Sequence, residues 1–396
     1  MSDKPLAGLK VLELGTLIAG PFATRLMAEF GAEVIKIESP DGGDPLRQWR
    51  VMHGDTSLWW YLQARNKQSV TVNLKHPEGR AIVQRLAREA DILVENFRPG
   101  VLEKLGLGWE QLSKDNPSLV MVRLSGYGQS GPYKDQPGFG AVGEAMGGMR
   151  FITGYADRPP VKMGISIGDS IAALYGVIGA LMALRHREQS GRGQVVDVAL
   201  YEAVFSMMES VLPEYAVTEL IRERTGNIMP GITPSNTYMA RDGKPVIIGA
   251  NGDAIFKRLM LAIGRTDLAG DAGLADNVGR SARADELYTV IGDWVAQRDL
   301  DEVLRICAEA EVPSTKVYSV ADIVADPHYL ARAMIQSVQL PDGTACQLPG
   351  IVPKLSETPG STEWVGPALG EHTEAVLARL GYSNEEIAQL RRDGAI

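Results

Sequence analysis

The segment GISIGDSIAALYGVIGALMAL, Gly164–Leu184, sets one carboxylate, Asp169, at the mouth of an apolar run. From Ile171 onward only Tyr175 interrupts that run. It is shorter than the roughly 20 residues a membrane span needs, so a buried core helix is expected. An Asp at the head of such a helix caps it and complements the positive end of its dipole. The small-residue turn before Asp169 also exposes a side chain above a sheet, where a carboxylate can act. The residues alone leave cap and reactive group both open.

Other chemistries find less to work with. The five histidines are His53, His76, His186, His328 and His372, and none lies between 76 and 186. Two cysteines, Cys307 and Cys346, make no disulfide framework, and no paired Cys/His spacing suggests a metal site. The turn Gly15-Thr-Leu-Ile-Ala-Gly20-Pro21 carries neither the G-x-G-x-x-G of a dinucleotide site nor a P-loop lysine. Gly164-Ile165-Ser166-Ile167-Gly168 has the spacing of a hydrolase elbow, but no strand enters it.

The elements around these residues read as α/β. GLKVLELG reads as a strand, GPFATRLMAEFGA as a helix and AEVIKIE as a strand, which together make a βαβ unit. The alternation continues through QSVTVNL, PEGRAIVQRLAREA, DILVENF and PSLVMVRLSGYG. Residues 127–154 are dense in Gly and Pro, the composition of a functional loop. QVVDVAL is another strand and YEAVFSMMESVLPEYAV another helix. At 396 residues the chain is long for one core. The expected division is a large domain over 1–220, a linker over 221–232, a small α+β domain over 233–326, and a return segment over 327–396 packing on the large domain. A net charge of −9 argues against nucleic acid as a partner. The N-terminus lacks the apolar core of a signal peptide, so a cytoplasmic protein away from membranes is expected.

Seven blocks in order carry a resemblance over nearly the whole chain. They are GLKVLELGTLIAGPFATRLMAEFGAEVIKIE, NKQSVTVNLKHPEG, ADILVENFRPGVLEKLGLGW, LSGYGQSGPY, GISIGDSIAALYG, SGRGQVVDVALYEAV and LGEHTEAVL. The sequence resembles the class III (CaiB/BaiF) CoA-transferase family. The resemblance implies a Rossmann-like large domain with a parallel sheet, a smaller α+β domain, and two chains interlocked as a homodimer. It implies that Asp169 is the nucleophile and that coenzyme A enters as acyl-CoA substrate, with no tightly bound cofactor. On the family pattern the CoA site maps to Val72-Asn73-Leu74-Lys75, Asn96-Phe97-Arg98 and Lys104, with the backbone at Ile18-Ala19 close to the thioester. Gly249 and Gly252 resemble the family's glycine loop, which shields the intermediates; an ordinary turn is the alternative.

Departures from the pattern narrow the substrate. The formyl-CoA/oxalate branch carries Gln where Ile18 stands, and many members read Pro-Gly-Phe-Asp where this chain has Pro137-Gly138-Phe139-Gly140. GFGAVGEAMGGMRFITG resembles members acting on C4–C5 dicarboxylic acids such as itaconate, citramalate or mesaconate, with succinyl-CoA as donor. Arg47 or Arg50 is a candidate partner for a distal carboxylate, or simply a surface cation. The α-methylacyl-CoA racemases of the same family need a His near Phe139–Gly148, and this stretch has none. A non-catalytic CoA-binding protein is the remaining alternative.

Overall fold

The computed structural model describes residues 4–396. Six strands form one parallel sheet: β1 Lys10–Glu13, β2 Glu33–Glu38, β3 Lys67–Thr71, β4 Ile92–Glu95, β5 Val120–Ser125 and β6 Val195–Ala199. Their spatial order is β3-β2-β1-β4-β5-β6, the order of doubly wound Rossmann sheets. Strands buried on both faces read as continuous apolar runs, and β4 and β5 are buried at every position.

Alternate residues feed two cores. Val11, Val34, Val94 and Val122 face α1 (Ala19–Glu29). Leu12, Ile35, Leu93 and Met121 face α2 (Pro77–Glu89) and the C-terminal helices Thr373–Arg379 and Asn384–Arg392. Beyond β5 come α3 (Gly140–Met146) and the long α4 (Ile167–Ser190). Four alanines of α4, Ala172, Ala173, Ala180 and Ala183, are buried in the same core as α1. At 24 residues α4 outruns the apolar segment read from the sequence and is long and apolar enough to cross a membrane. Its buried alanines against the sheet are those of a core helix.

The helix expected after β6 is two: α5 (Leu200–Phe205) and α6 (Val211–Thr218). Pro213 explains the break. Its ring would clash with the carbonyl of Glu209 in a continuous helix, and Glu209 turns left-handed at φ 47°.

By internal contacts the described residues form two compact units, one of residues 4–150, 162–221 and 333–396, the other of 151–161 and 222–332. Residues 151–161 thus join the second unit rather than the large domain. Gly226 N–H donates to Gly154 O at 2.8 Å, and Arg224 Nη1 donates to Phe151 O at 2.8 Å. The second unit has its own antiparallel sheet, β7 (Ser235–Met239), β8 (Pro245–Gly249) and β9 (Ser314–Lys316), and its own core around Phe256, Leu259, Ile291 and Val303.

Candidate active site

In an open doubly wound sheet the ligand crevice lies beyond the carboxyl ends of the strands where the order reverses. Here that place is between β1 and β4, and the turn after β1 is built with care. Leu17 is left-handed at φ 65°, a costly state for a branched side chain. Its N–H donates to both oxygens of Asp44, at 3.0 and 3.2 Å. Asp44 is in turn paired with Lys36 Nζ at 2.8 Å. On the β4 side Asn96 clamps the turn both ways, Oδ1 accepting from Thr16 N–H and Nδ2 donating to Thr16 O, each at 2.8 Å.

Above this floor is a cavity of about 350 Å³. It is lined by Thr16–Ala19, Asn96–Pro99, Ser125, Gly126, the Lys134–Ala141 region, Glu144, Lys162 and Asp169. Asp169 stands in the first turn of α4. Burial, then the Glu144 charge, pushes its carboxyl up to about 6. It is therefore largely ionised at neutral pH yet more basic than an ordinary Asp, which suits a nucleophile.

Two close approaches shape the wall. A Cβ on Gly138 would lie 2.9 Å from Gly126 Cα, so the connection from β5 to α3 begins and ends backbone to backbone. A Cβ on Gly140 would overlap Asp169 Oδ2 and sit 2.7 Å from its Cγ. The carboxylate occupies the space that any other residue at 140 would fill.

The expected site residues separate into groups. Ile18, Ala19, Asn96, Phe97 and Arg98 line the cavity with Asp169. Val72, Asn73, Leu74 and Lys75 line another cavity, of about 190 Å³, which shares Thr16 and Phe97 with the first. Lys104 ends a short helix and is exposed, lining neither. Gly249 and Gly252 belong to the second unit, at the end of β8 and before helix Asp253–Ala262. Neither has a positive φ, and a Cβ on Gly249 would meet nothing closer than Ser235 Oγ at 4.0 Å.

Arg47 requires a correction. It is buried, with Nε and Nη2 on the two oxygens of Glu38 at 2.8 Å each and Nη1 on Pro367 O. Its guanidinium lies 3.7 Å from the centroid of the Trp60 ring. A bidentate partner leaves it no fork for a substrate carboxylate. Arg50 stacks over Trp59 at 4.7 Å. The cavity's cations are instead Arg98, Lys134 and Lys162. Lys134, in the Gly/Pro-rich loop, and Lys162, in the irregular segment before α4, have no periodicity around them to tell which side chains turn inward.

The family model described as CoA-transferase family III matches residues 6–373. The chain belongs to CoA-transferase family III. A succinyl-CoA–D-citramalate CoA-transferase of Chloroflexus aurantiacus is 48% identical over 390 residues, 98% of this chain and 97% of that protein. The beta subunit of a succinyl-CoA–L-malate CoA-transferase from the same organism is 44% identical, over 98% and 97%. Among solved structures, a CaiB/BaiF family protein from Brucella suis superposes with a TM-score of 0.84 at 33% identity, covering 96% of this chain and all of that one.

For this family III chain the Gly140 contact generates a test. Gly140 opens α3 with an ordinary φ, and Ala favours helices over Gly by about 1 kcal/mol. Gly140→Ala should therefore still fold, the displaced Asp169 carboxylate being the end of a flexible side chain, with that gain offset by the overlap so that the melting temperature stays near wild type. It should slow CoA transfer about 10- to 100-fold by displacing the Asp169 carboxylate. Transfer within twofold of wild type by a folded variant would show that the close approach is irrelevant.

Proposed function

We propose that this enzyme moves CoA from succinyl-CoA to a C4–C5 dicarboxylic acid, with Asp169 as nucleophile. The observation that carries the reading is a partly desolvated carboxylate facing a cavity with three cations. None of Arg98, Lys134 and Lys162 has an ion-pair partner among the described residues. The similarity to D-citramalate and L-malate CoA-transferases supports the acceptor class. Citramalate is the first acceptor to try, with mesaconate and itaconate after it.

In the proposed sequence an Asp169 oxygen attacks the thioester carbonyl, the C–S bond breaks, and CoA leaves as thiolate. The product is a mixed anhydride. The thiolate attacks Asp169 Cγ and expels succinate, leaving a β-aspartyl-CoA thioester. The acceptor carboxylate then attacks Cγ and releases the thiolate, which takes the acceptor's acyl carbon and frees Asp169. No net proton is taken or released, so the site needs no dedicated acid. Each step develops an oxyanion, and the N-terminal ends of α1, α3 and α4, which all line the cavity, are fixed dipoles suited to receive it.

Arg98 and, farther out, Lys75 and Lys104 suit the CoA phosphates, with Leu74 and Phe97 available to the adenine. Lys134 and Lys162 suit the distal carboxylate, the task expected of Arg47. No histidine lines the cavity, which disfavours proton abstraction in the manner of the racemases.

The proposal includes a homodimer. Leu174, Ile178, Leu181 and Met182 recur on one exposed face of α4, and Phe205 and Leu212 are exposed on α5 and α6. An apolar stripe of this kind marks an interaction surface. Light scattering should give twice the chain mass of 42.8 kDa; a single-chain mass would refute the dimer.

The function itself is tested by mixing the protein with succinyl-CoA and a panel of acids and separating the CoA esters. Citramalate or a close C4–C5 dicarboxylate should be esterified about 100-fold faster than butyrate. Equal rates would remove the dicarboxylate reading, and no ester with any acid would remove the transferase.

A further inference from the structure

The second carboxylate of the cavity, Glu144, has no part in the steps above. It is 2% exposed, and its nearest cation is Arg150, whose Nε lies 3.4 Å from Oε2. That is a long contact for a charge-assisted pair, so the charge is only partly balanced. Helix α3, which carries it, is wedged on two sides. A Cβ on Gly143 would lie 2.8 Å from Leu200 Cβ, and one on Gly147 2.6 Å from Val204 Cγ1, both on α5. Toward α4, a Cβ on Gly168 would lie 2.9 Å from Gly140 O and 3.4 Å from Glu144 Cγ. Glu144 thus sits beside Gly168, the residue before Asp169, on a helix packed closely against α4, and both carboxylates line the same cavity.

We propose that Glu144 is a positioning residue that sets the reactivity of Asp169 by holding a second negative charge against it. The inference rests on Asp169 being the nucleophile. Two like charges at close range disfavour the ionised pair. Acylation turns Asp169 from an anion into a neutral anhydride, so the repulsion is present before attack and relieved as the bond forms. Glu144 needs no contact with substrate to speed the step. The other charged groups facing the cavity are Arg98 beside Asn96, Lys134 on the Gly-rich loop and Lys162 before α4. They attract Asp169's charge, so the net effect of Glu144 is measured against theirs.

The sign can be read directly. With Glu144 in place the Asp169 carboxyl sits at about 6, raised by burial first and by Glu144 second. Neutralising Glu144 leaves burial alone, so the midpoint should fall but stay above the ordinary Asp value. The acid limb of kcat/KM should move to lower pH with it, and the plateau rate should drop as the nucleophile loses basicity.

The experiment is an infrared titration of the protonated carboxyl band, wild type minus Asp169→Asn, repeated in Glu144→Gln and Glu144→Asp backgrounds alongside pH–rate profiles. Glu144→Gln should lower the midpoint and the acid limb by about 0.5 pH unit or more and the plateau about two- to threefold. Glu144→Asp, which keeps the charge, should restore most of both. If Glu144→Gln does not fold, Glu144→Ala serves as the neutral variant. An unchanged midpoint in a folded neutral variant overturns the inference. A midpoint that shifts while wild type transfers no CoA supports the influence of Glu144 and overturns the transferase reading, so the two failures are distinct.

Discussion

The carboxylate of Glu13 lies fully buried at the end of β1 between two buried ammonium groups, Lys36 Nζ at 2.7 Å and Lys67 Nζ at 2.8 Å. Burial opposes its ionisation and the two cations outweigh that, holding its carboxyl below the ordinary value. Removing one partner of such a group strands the others and costs roughly 3–5 kcal/mol. Hydrophobic replacements would often serve stability as well, and what they would lose is visible in the remaining hydrogen bonds. Lys36 also donates to Gly15 O at 2.9 Å, and Lys67 to Pro21 O at 2.7 Å. The charges grip both ends of the β1–α1 turn, and Asp44, paired to Lys36, holds the middle through Leu17. The floor of the cavity is therefore set by a buried ionic lattice that spans β1, β2 and β3.

That lattice explains how a chain of net charge −9 offers a site for anions. Inside the sheet the charges are paired. Arg47, Lys36 and Lys67 are all spent on Glu38, Asp44 or Glu13. The cations left over, Arg98, Lys134 and Lys162, lie on loops at the carboxyl ends of the strands, where the cavity opens. Local placement rather than net charge decides which ligands a cleft attracts.

The sheet was legible because its strands are short apolar runs separated by periodic helices, which is what a parallel sheet covered on both faces demands. Asp169 stands out as a single carboxylate at the head of an apolar helix, where helix capping is the ordinary explanation. The nucleophile reading rests on family resemblance, and the structure puts Ser166 rather than Asp169 at the N-cap, with Asp169 further along the first turn. Asn96 is expected to contact CoA on the family pattern, and its clamp on both polar atoms of Thr16 is a second task that only the fold reveals. Arg47 misled for a similar reason: its partner Glu38 is nine residues away, on no shared periodicity. The grouping of 151–161 with 222–332 depends on hydrogen bonds about 70 residues apart in sequence, a pairing that local pattern does not encode.

The central claim is that Asp169 becomes covalently bonded to CoA during turnover. Brief mixing with succinyl-CoA, followed by acid quench and peptide mass spectrometry, tests it most directly. The account predicts a CoA-sized adduct on the peptide containing Asp169, absent from Asp169→Ala and discharged when the acceptor acid is added. A wild-type enzyme that transfers CoA while this peptide stays unmodified, or an Asp169→Ala enzyme that keeps its activity, would contradict it.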